Sequence, residues 1–148
     1  EYLSPRSSVA VFEGFGSSYE KARSAMEAMK LHFPKRRLLV VFEPHTFTWR
    51  NRSALSQYDT VFAGAERVYI YEPATQGAHT HAQLSQEEIV AQDKAAGLDA
   101  TAITDPAAAL ETIGKELQAD DCVLLLTSGE LGGLIRKIPA LVEEKFPA

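Results

Sequence analysis

Short apolar runs alternate along the chain with segments in which apolar residues recur at helical spacing. The apolar runs have the length of β-strands and are rich in Val, Leu and Ile. Because their apolarity is nearly continuous, they are typical of strands that are buried on both faces of a parallel sheet. The predicted strands are residues 9–12, 37–42, 67–71, 100–103 and 121–127.

The segments between these strands carry the signals of helix starts and stops. Ser17 and Ser85 each precede a glutamate by three residues, which is the capping-box pattern of a helix N-terminus. Asp105, followed by a proline, predicts another N-cap. Gly97 is expected to end the helix that begins after Ser85, and a weaker helix is expected around residues 53–62.

Each strand and the segment after it occupy about 30 residues, which is the period of βαβ units. Repeated βαβ units predict a Rossmann-like α/β fold, with a mostly parallel sheet of about five to six strands and helices on both faces. We expect residues 9–148 to form a single domain and residues 1–8 to be the remnant of a linker. The chain begins without Met, so we expect a piece of a longer protein.

The composition argues against several classes of protein. The chain has 148 residues, of which 45% are hydrophobic and 24% charged, and this is enough for a globular core. A net charge of −5 argues against binding to nucleic acid or to an anionic membrane surface. No apolar run has the length of a membrane span. The lone cysteine, Cys122, favours a reducing compartment, and we expect the cytoplasm.

Four polar loops lie at the positions where such folds bind ligands. In open α/β sheets, ligands bind beyond the carboxyl ends of the strands, where loops meet helix N-termini. The loops at that end are residues 13–18, 43–52, 72–83 and 128–133. We therefore expect one binding edge made by these loops, with ordinary turns as the alternative.

The loop at residues 43–52 is the most unusual of the four. It brings an imidazole, hydroxyls, an indole and guanidinium groups together within a few positions. Arginine makes bidentate, charge-assisted hydrogen bonds, so Arg50 favours a carboxylate or phosphate ligand. We expect Trp49 to be exposed and to pack on a ligand or a partner. Solvated loop charges are the alternative interpretation.

The loop after the first strand begins like a dinucleotide-binding fingerprint. Gly14 and Gly16 stand between the strand and the helix, but Tyr19 replaces the third small residue, so the match is partial. Ser17 and Ser18 at the helix N-terminus favour either an anion bound by backbone N–H groups or simply a capped helix.

The residues predict no metal site and no complete catalytic apparatus. His79 and His81, with Glu72, have no firm third ligand and are a poor metal signal. The chain also has no Gly-Lys-Ser/Thr phosphate-binding loop, so it cannot hold ATP phosphates in that way.

Four segments together resemble the C-terminal domain of the Mur ligase family, whose members form amide bonds with ATP in cell-wall peptide assembly. The second and fourth are fairly specific for this family and resemble most its murein peptide ligase branch. The segments are Val11-Phe12-Glu13-Gly14-Phe15-Gly16-Ser17-Ser18-Tyr19, Leu39-Val40-Val41-Phe42-Glu43-Pro44-His45-Thr46-Phe47-Thr48, Ala65-Glu66-Arg67-Val68-Tyr69-Ile70-Tyr71-Glu72-Pro73 and Leu126-Thr127-Ser128-Gly129-Glu130-Leu131-Gly132-Gly133-Leu134.

The resemblance implies that this chain closes over an active site carried mainly by a neighbouring domain. ATP and Mg²⁺ would be bound mainly by the central ATPase domain of the same polypeptide. The substrates would be UDP-N-acetylmuramate and a murein peptide, joined through an acyl phosphate. No catalytic or metal-binding residue is expected in this domain alone. The resemblance assigns peptide contacts to His45, Thr46, Thr48, Arg50, Ser128 and Gly129, and nucleotide contacts to Glu13, Gly16, Ser17 and Ser18.

The chain also departs from the family pattern. Ser17 and Ser18 replace two adjacent histidines of the family, and Tyr19 replaces its proline. These are loop positions near nucleotide or peptide, so the amine substrate stays open. The other hypotheses are a free-standing nucleotide-binding module and a non-catalytic interaction domain.

Overall fold

The chain forms one parallel sheet. The computed structural model describes residues 1–44, 47–72, 83–127 and 129–148. The strands pair in the order β1-β5-β2-β3-β4, and every neighbouring pair is parallel. This confirms the predicted α/β fold. The strands are β1 (Ala10–Gly14), β2 (Leu38–Phe42), β3 (Arg67–Tyr71), β4 (Ala100–Ile103) and β5 (Cys122–Leu126).

Helical segments connect the strands. The segment predicted as a weak helix at residues 53–62 forms a 3-10 helix over Arg52–Asp59. A further 3-10 turn, Leu131–Gly133, leads into the last helix. The α-helices are α1 (Tyr19–His32), α2 (Phe47–Arg50), α3 (Gln86–Ala95), α4 (Pro106–Glu116) and α5 (Leu134–Lys145).

The helix starts follow the capping rules, with one shift. Ser85 and Glu88 form the predicted capping box of α3, and the Asp105 side chain accepts from the Ala108 N–H at the start of α4. In α1 the N-cap is Ser18, whose hydroxyl accepts from the Lys21 N–H, so the prediction of Ser17 was wrong by one residue. Both serines are good N-caps, and the local sequence does not distinguish them.

Helices cover both faces of the sheet, as predicted. Because alternate strand residues point to opposite faces, the sheet contributes to two separate apolar cores. On one face, α1, α3 and the 3-10 helix pack on residues such as Val40 and Phe42. On the other face, α4 and α5 pack on residues such as Leu39 and Val41.

Residues 1–8, predicted as a linker remnant, lie against the open edge of β1. Tyr2 pairs with Phe12 in antiparallel fashion, and the Leu3 N–H donates to the Val11 carbonyl at 2.8 Å. Ser4 is fully buried, and its hydroxyl donates to the Val9 carbonyl at 2.8 Å. The segment therefore covers backbone groups that an edge strand would otherwise expose.

Candidate functional site

Four neighbouring strands end side by side at one edge of the sheet. Gly14 of β1 is level with Leu126 of β5, Leu126 with Phe42 of β2, and Phe42 with Ile70 of β3. All four strands are parallel, so the loops that follow them leave the sheet at the same edge. This confirms that the four predicted polar loops begin at one edge of the sheet. We call this edge the loop rim.

A carboxylate links the loops after β2 and β5. Glu43, 8% exposed, follows β2, and its Oε1 accepts from the Thr127 hydroxyl at 3.2 Å. The same hydroxyl oxygen accepts from the Gly129 N–H at 2.9 Å. Burial and then the nearby charges of Glu43 and Asp105 raise the pKa of Tyr71. Glu43 and Thr127 thus hold the start of the loop that carries Gly129.

Trp49 is buried, so the prediction of an exposed indole was wrong. Its relative exposure is 0%, and its Nε1–H donates to the Gly16 carbonyl at 2.5 Å. The indole packs edge-on against Phe42, with the ring centroids 5.2 Å apart. A Cβ at Gly16 would lie 3.1 Å from the Leu126 Cβ, so glycine allows the loop after β1 to approach the sheet closely.

Arg50 is also buried, and its guanidinium is bonded inside the domain. Its Nη2 lies 2.5 Å from the Oε1 of Glu72, the residue directly after β3. Its Nε–H donates to the Pro44 carbonyl at 2.9 Å, and its Nη1 to the Leu84 carbonyl at 3.2 Å. Sequence reasoning missed this network, although the acid at a strand end was a visible signal. The peptide contact assigned to Arg50 stays a prediction.

The residues predicted to face the nucleotide lie together at the end of β1 and directly after it. Glu13 and Gly14 line a cavity of about 180 Å³ with Phe15 and Thr127. Gly16 packs on the sheet, and Ser17 and Ser18 follow it at the N-terminus of α1. Phe15 is 73% exposed and also borders an open groove of about 360 Å³ along α1. The nucleotide contacts themselves stay predictions.

Some of the predicted site residues belong to parts of the chain that the structure does not describe. His45, Thr46 and Ser128 lie outside the described residues, as do His79 and His81 of the weak metal signal, and the Thr48 side chain is likewise not described. Within the described ranges, no group of three or more His, Cys, Asp and Glu side chains could hold a metal ion. No helix in the same ranges is long and apolar enough to cross a membrane.

The sequence relatives of this chain are ligases that act on UDP-N-acetylmuramate. It is 24% identical over 142 residues to the UDP-N-acetylmuramate–L-alanine ligase of Endomicrobium trichonymphae, covering 96% of this chain and 30% of that protein. It is 27% identical over 124 residues to the enzyme of the same name from Geobacter sulfurreducens, covering 83% of this chain and 27% of that protein. The chain therefore spans less than a third of these relatives.

Solved structures share the fold. A murein peptide ligase from Psychrobacter arcticus matches with a TM-score of 0.78 at 15% identity, over 96% of this chain and 29% of that one. A domain provisionally assigned to a UDP-N-acetylmuramate peptide ligase from Haemophilus ducreyi matches with a TM-score of 0.70 at 20% identity, over 95% of this chain and 98% of that one. The second match is an isolated domain of the same extent.

One family matches across most of the chain and agrees with the fold and with the loop rim. The match covers residues 3–129 and includes all five strands and the starts of the four rim loops. The chain therefore belongs to the Mur ligase, glutamate ligase domain family, as a Mur ligase C-terminal domain.

Proposed function

We propose that this chain is the substrate-closing C-terminal domain of an ATP-dependent amide ligase that joins a murein peptide to UDP-N-acetylmuramate. The observation that carries the proposal is the loop rim, where four polar loops leave one edge of the sheet in a domain of this family. Because the chain is about 30% of its relatives' length, the activity belongs to the complete protein.

The proposed reaction proceeds in two steps. The carboxylate of UDP-N-acetylmuramate attacks the γ-phosphorus of ATP, which gives an acyl phosphate and ADP. The amine of the peptide then attacks the acyl carbon, phosphate leaves, and the amine loses a proton. Both steps build negative charge that preorganised donors offset. We assign ATP and Mg²⁺ mainly to the central ATPase domain of the complete protein, as the resemblance to the family implies.

The role proposed for this domain is to exclude water from the acyl phosphate and to orient the amine. The loops after β2 and β5, with His45, Thr46, Thr48, Ser128 and Gly129, would meet the peptide. The end of β1 and the loop after it, with Glu13, Gly16, Ser17 and Ser18, would face the nucleotide. Arg50 belongs to the predicted peptide set, and the bonds described above direct its guanidinium into the domain.

L-alanine is the second candidate for the amine substrate. The curated relatives named above are L-alanine ligases, which supports this candidate. The segment after β2 resembles both branches: Glu43 matches the glutamate of the peptide-ligase pattern, where the alanine-adding pattern has glutamine, whereas His45 and Phe47 match the alanine-adding pattern. We place either reaction in the cytoplasm, in keeping with the single buried thiol of Cys122.

The test is ligation by the complete protein. It is incubated with ATP, Mg²⁺, UDP-N-acetylmuramate and either L-alanyl-γ-D-glutamyl-diaminopimelate or L-alanine, and the product and ADP are measured. We expect amine-dependent ADP release and a new amide product with the tripeptide. Product with L-alanine only would make L-alanine the substrate. No ligation with either amine, or the absence of a Gly-Lys-Ser/Thr loop from the complete protein, would reject the ligase in favour of a binding or interaction domain.

A further inference from the structure

Two consecutive residues of α2 connect three of the four rim loops. Trp49 bonds to Gly16 in the loop after β1. Arg50 bonds to Pro44 at the exit of β2, to Glu72 at the exit of β3 and to Leu84 just before α3. We call Trp49 and Arg50 the α2 clamp.

Arg50 holds both ends of the connection between β3 and α3. Its Nη2 is paired with Glu72 where the connection begins. Where the connection ends, Leu84 is bonded twice, because its N–H donates to the Arg50 carbonyl at 2.7 Å and its carbonyl accepts from Arg50 Nη1 at 3.2 Å. A backbone bridge between Asn51 and Gln83 adds to this junction. One residue therefore bonds to both described ends of this connection, at Glu72 and at Leu84.

The Arg50–Glu72 ion pair is more buried than the Arg52–Glu88 ion pair on the surface. The Arg50 and Glu72 side chains are 9% and 14% exposed, whereas those of Arg52 and Glu88 are 49% and 38% exposed. A guanidinium that is removed from water is stabilised by the groups it bonds to inside the protein. Its planar fork of N–H donors can bond to several acceptors at once. Lysine at position 50 would retain the charge but not the fork.

We propose that Arg50 is a positioning residue of the ligase, which sets the geometry of the peptide-binding loop after β2 by tying the start of that loop at Pro44 to Glu72 and Leu84, the two ends of the neighbouring connection. In this role it acts through Glu72 and the two carbonyls, and it does not bind the substrate anion. The kinetic consequence rests on the proposed function, whereas the structural consequence does not.

Amide hydrogen exchange in the 148-residue chain tests the structural part, since a domain of the same extent has been crystallised alone. The variants are R50K, R50Q, E72Q and R50Q/E72Q, and R52Q is the matched control from the exposed pair. We expect R50Q and E72Q to speed exchange at the Leu84 and Glu72 amides by roughly tenfold or more, with R50K intermediate. R52Q is expected to leave both amides unchanged. Wild-type exchange in R50Q and E72Q would overturn the proposal.

Ligation kinetics in the complete protein test the functional part. A displacement of a substrate-positioning group by about 1 Å can lower catalytic efficiency up to 100-fold. We therefore expect R50Q and E72Q each to raise the KM of the amine substrate by roughly tenfold, with the KM of ATP unchanged. The KM of the double variant should be no higher than that of the more impaired single variant, because both substitutions break the same interaction between Arg50 and Glu72.

A direct contact between Arg50 and the substrate gives a different result. Removing the Glu72 charge would then leave the Arg50 cation available, so E72Q would keep or lower the KM while R50Q raised it. That result would overturn the positioning role. If R50Q does not fold, R50K takes its place in both tests and E72Q still distinguishes the two roles, while R50Q/E72Q carries the exchange test without an unpaired charge at the site. A wild-type protein that ligates no amine would reject the proposed function and leave the exchange result standing.

Discussion

Asp93 offers a quantitative test of the packing between α3 and the 3-10 helix. Its side chain is 0% exposed, and neither carboxylate oxygen has a hydrogen-bond partner among the described residues. Burial first, and then the negative charge of Asp59, raise the pKa of Asp93 from 3.8 to about 8. The folded chain therefore keeps this carboxyl protonated at neutral pH, whereas the unfolded chain ionises it.

The sign and the magnitude of the effect follow from proton linkage. Between pH 3.8 and about 8 the folded state binds the extra proton, so the free energy of unfolding falls as the pH rises. Each pH unit costs about 1.4 kcal/mol, so Asp93 alone should remove about 4 kcal/mol between pH 5 and pH 8. The side chain introduced by D93N does not titrate. The free energy of unfolding of D93N minus that of the wild type should therefore increase by about 4 kcal/mol from pH 5 to pH 8.

The assay is denaturant unfolding of the wild type and D93N at pH 5 and pH 8. The single tryptophan, Trp49, is buried and reports unfolding by its fluorescence. The two proteins share all other titrating groups, so the difference between them isolates Asp93. E87Q, an exposed change on the same helix, is the control for a substitution of an acidic residue on α3. An equal D93N-to-wild-type difference at both pH values would refute the argument.

Two further substitutions test the packing around the sheet. At Gly132 (φ 63°) a Cβ would overlap the Tyr71 hydroxyl, so G132A should lower the free energy of unfolding by roughly 2–4 kcal/mol. The matched control is G97A (φ 91°), which has open space and should cost only about 1–2 kcal/mol; equal losses would contradict the steric argument. D121N removes the negative charge and replaces one of the two carboxylate oxygens that accept from Arg37, at 2.8 and 2.7 Å, with an NH₂ donor; it should cost roughly 1–3 kcal/mol by thermal unfolding, whereas an unchanged Tm would refute this.

The sequence predicted the strands well because burial leaves a local signature. β3 and β4 were predicted at their observed bounds, and β5 within one residue at each end. The apolar runs of β3 and β5 can be recognised without knowledge of distant partners, whereas β4 contains Thr101 and gives a weaker signal. The same reasoning predicted which loops share an edge, because parallel strands place all their carboxyl ends together. The strand order, with β5 between β1 and β2, depends on pairing between distant segments and was not predicted.

The wrong or missed predictions concern side chains whose contacts are with residues distant in the sequence. Trp49 stands among polar neighbours, which favoured an exposed indole, but α2 turns it towards Phe42 and Gly16. Arg50 has the chemistry of an anion ligand, and its partner Glu72 is in another part of the chain. No spacing rule links these residues, so their burial emerged only from the fold.

The most direct test of the account is a crystal structure of the complete protein with an ATP analogue, UDP-N-acetylmuramate and the amine substrate. We predict that the loops after β1, β2 and β5 face the bound ligands across the domain boundary, with Arg50 still paired with Glu72 behind them. Ligands bound at the opposite edge of the sheet, near Arg37 and Arg67, would contradict the account.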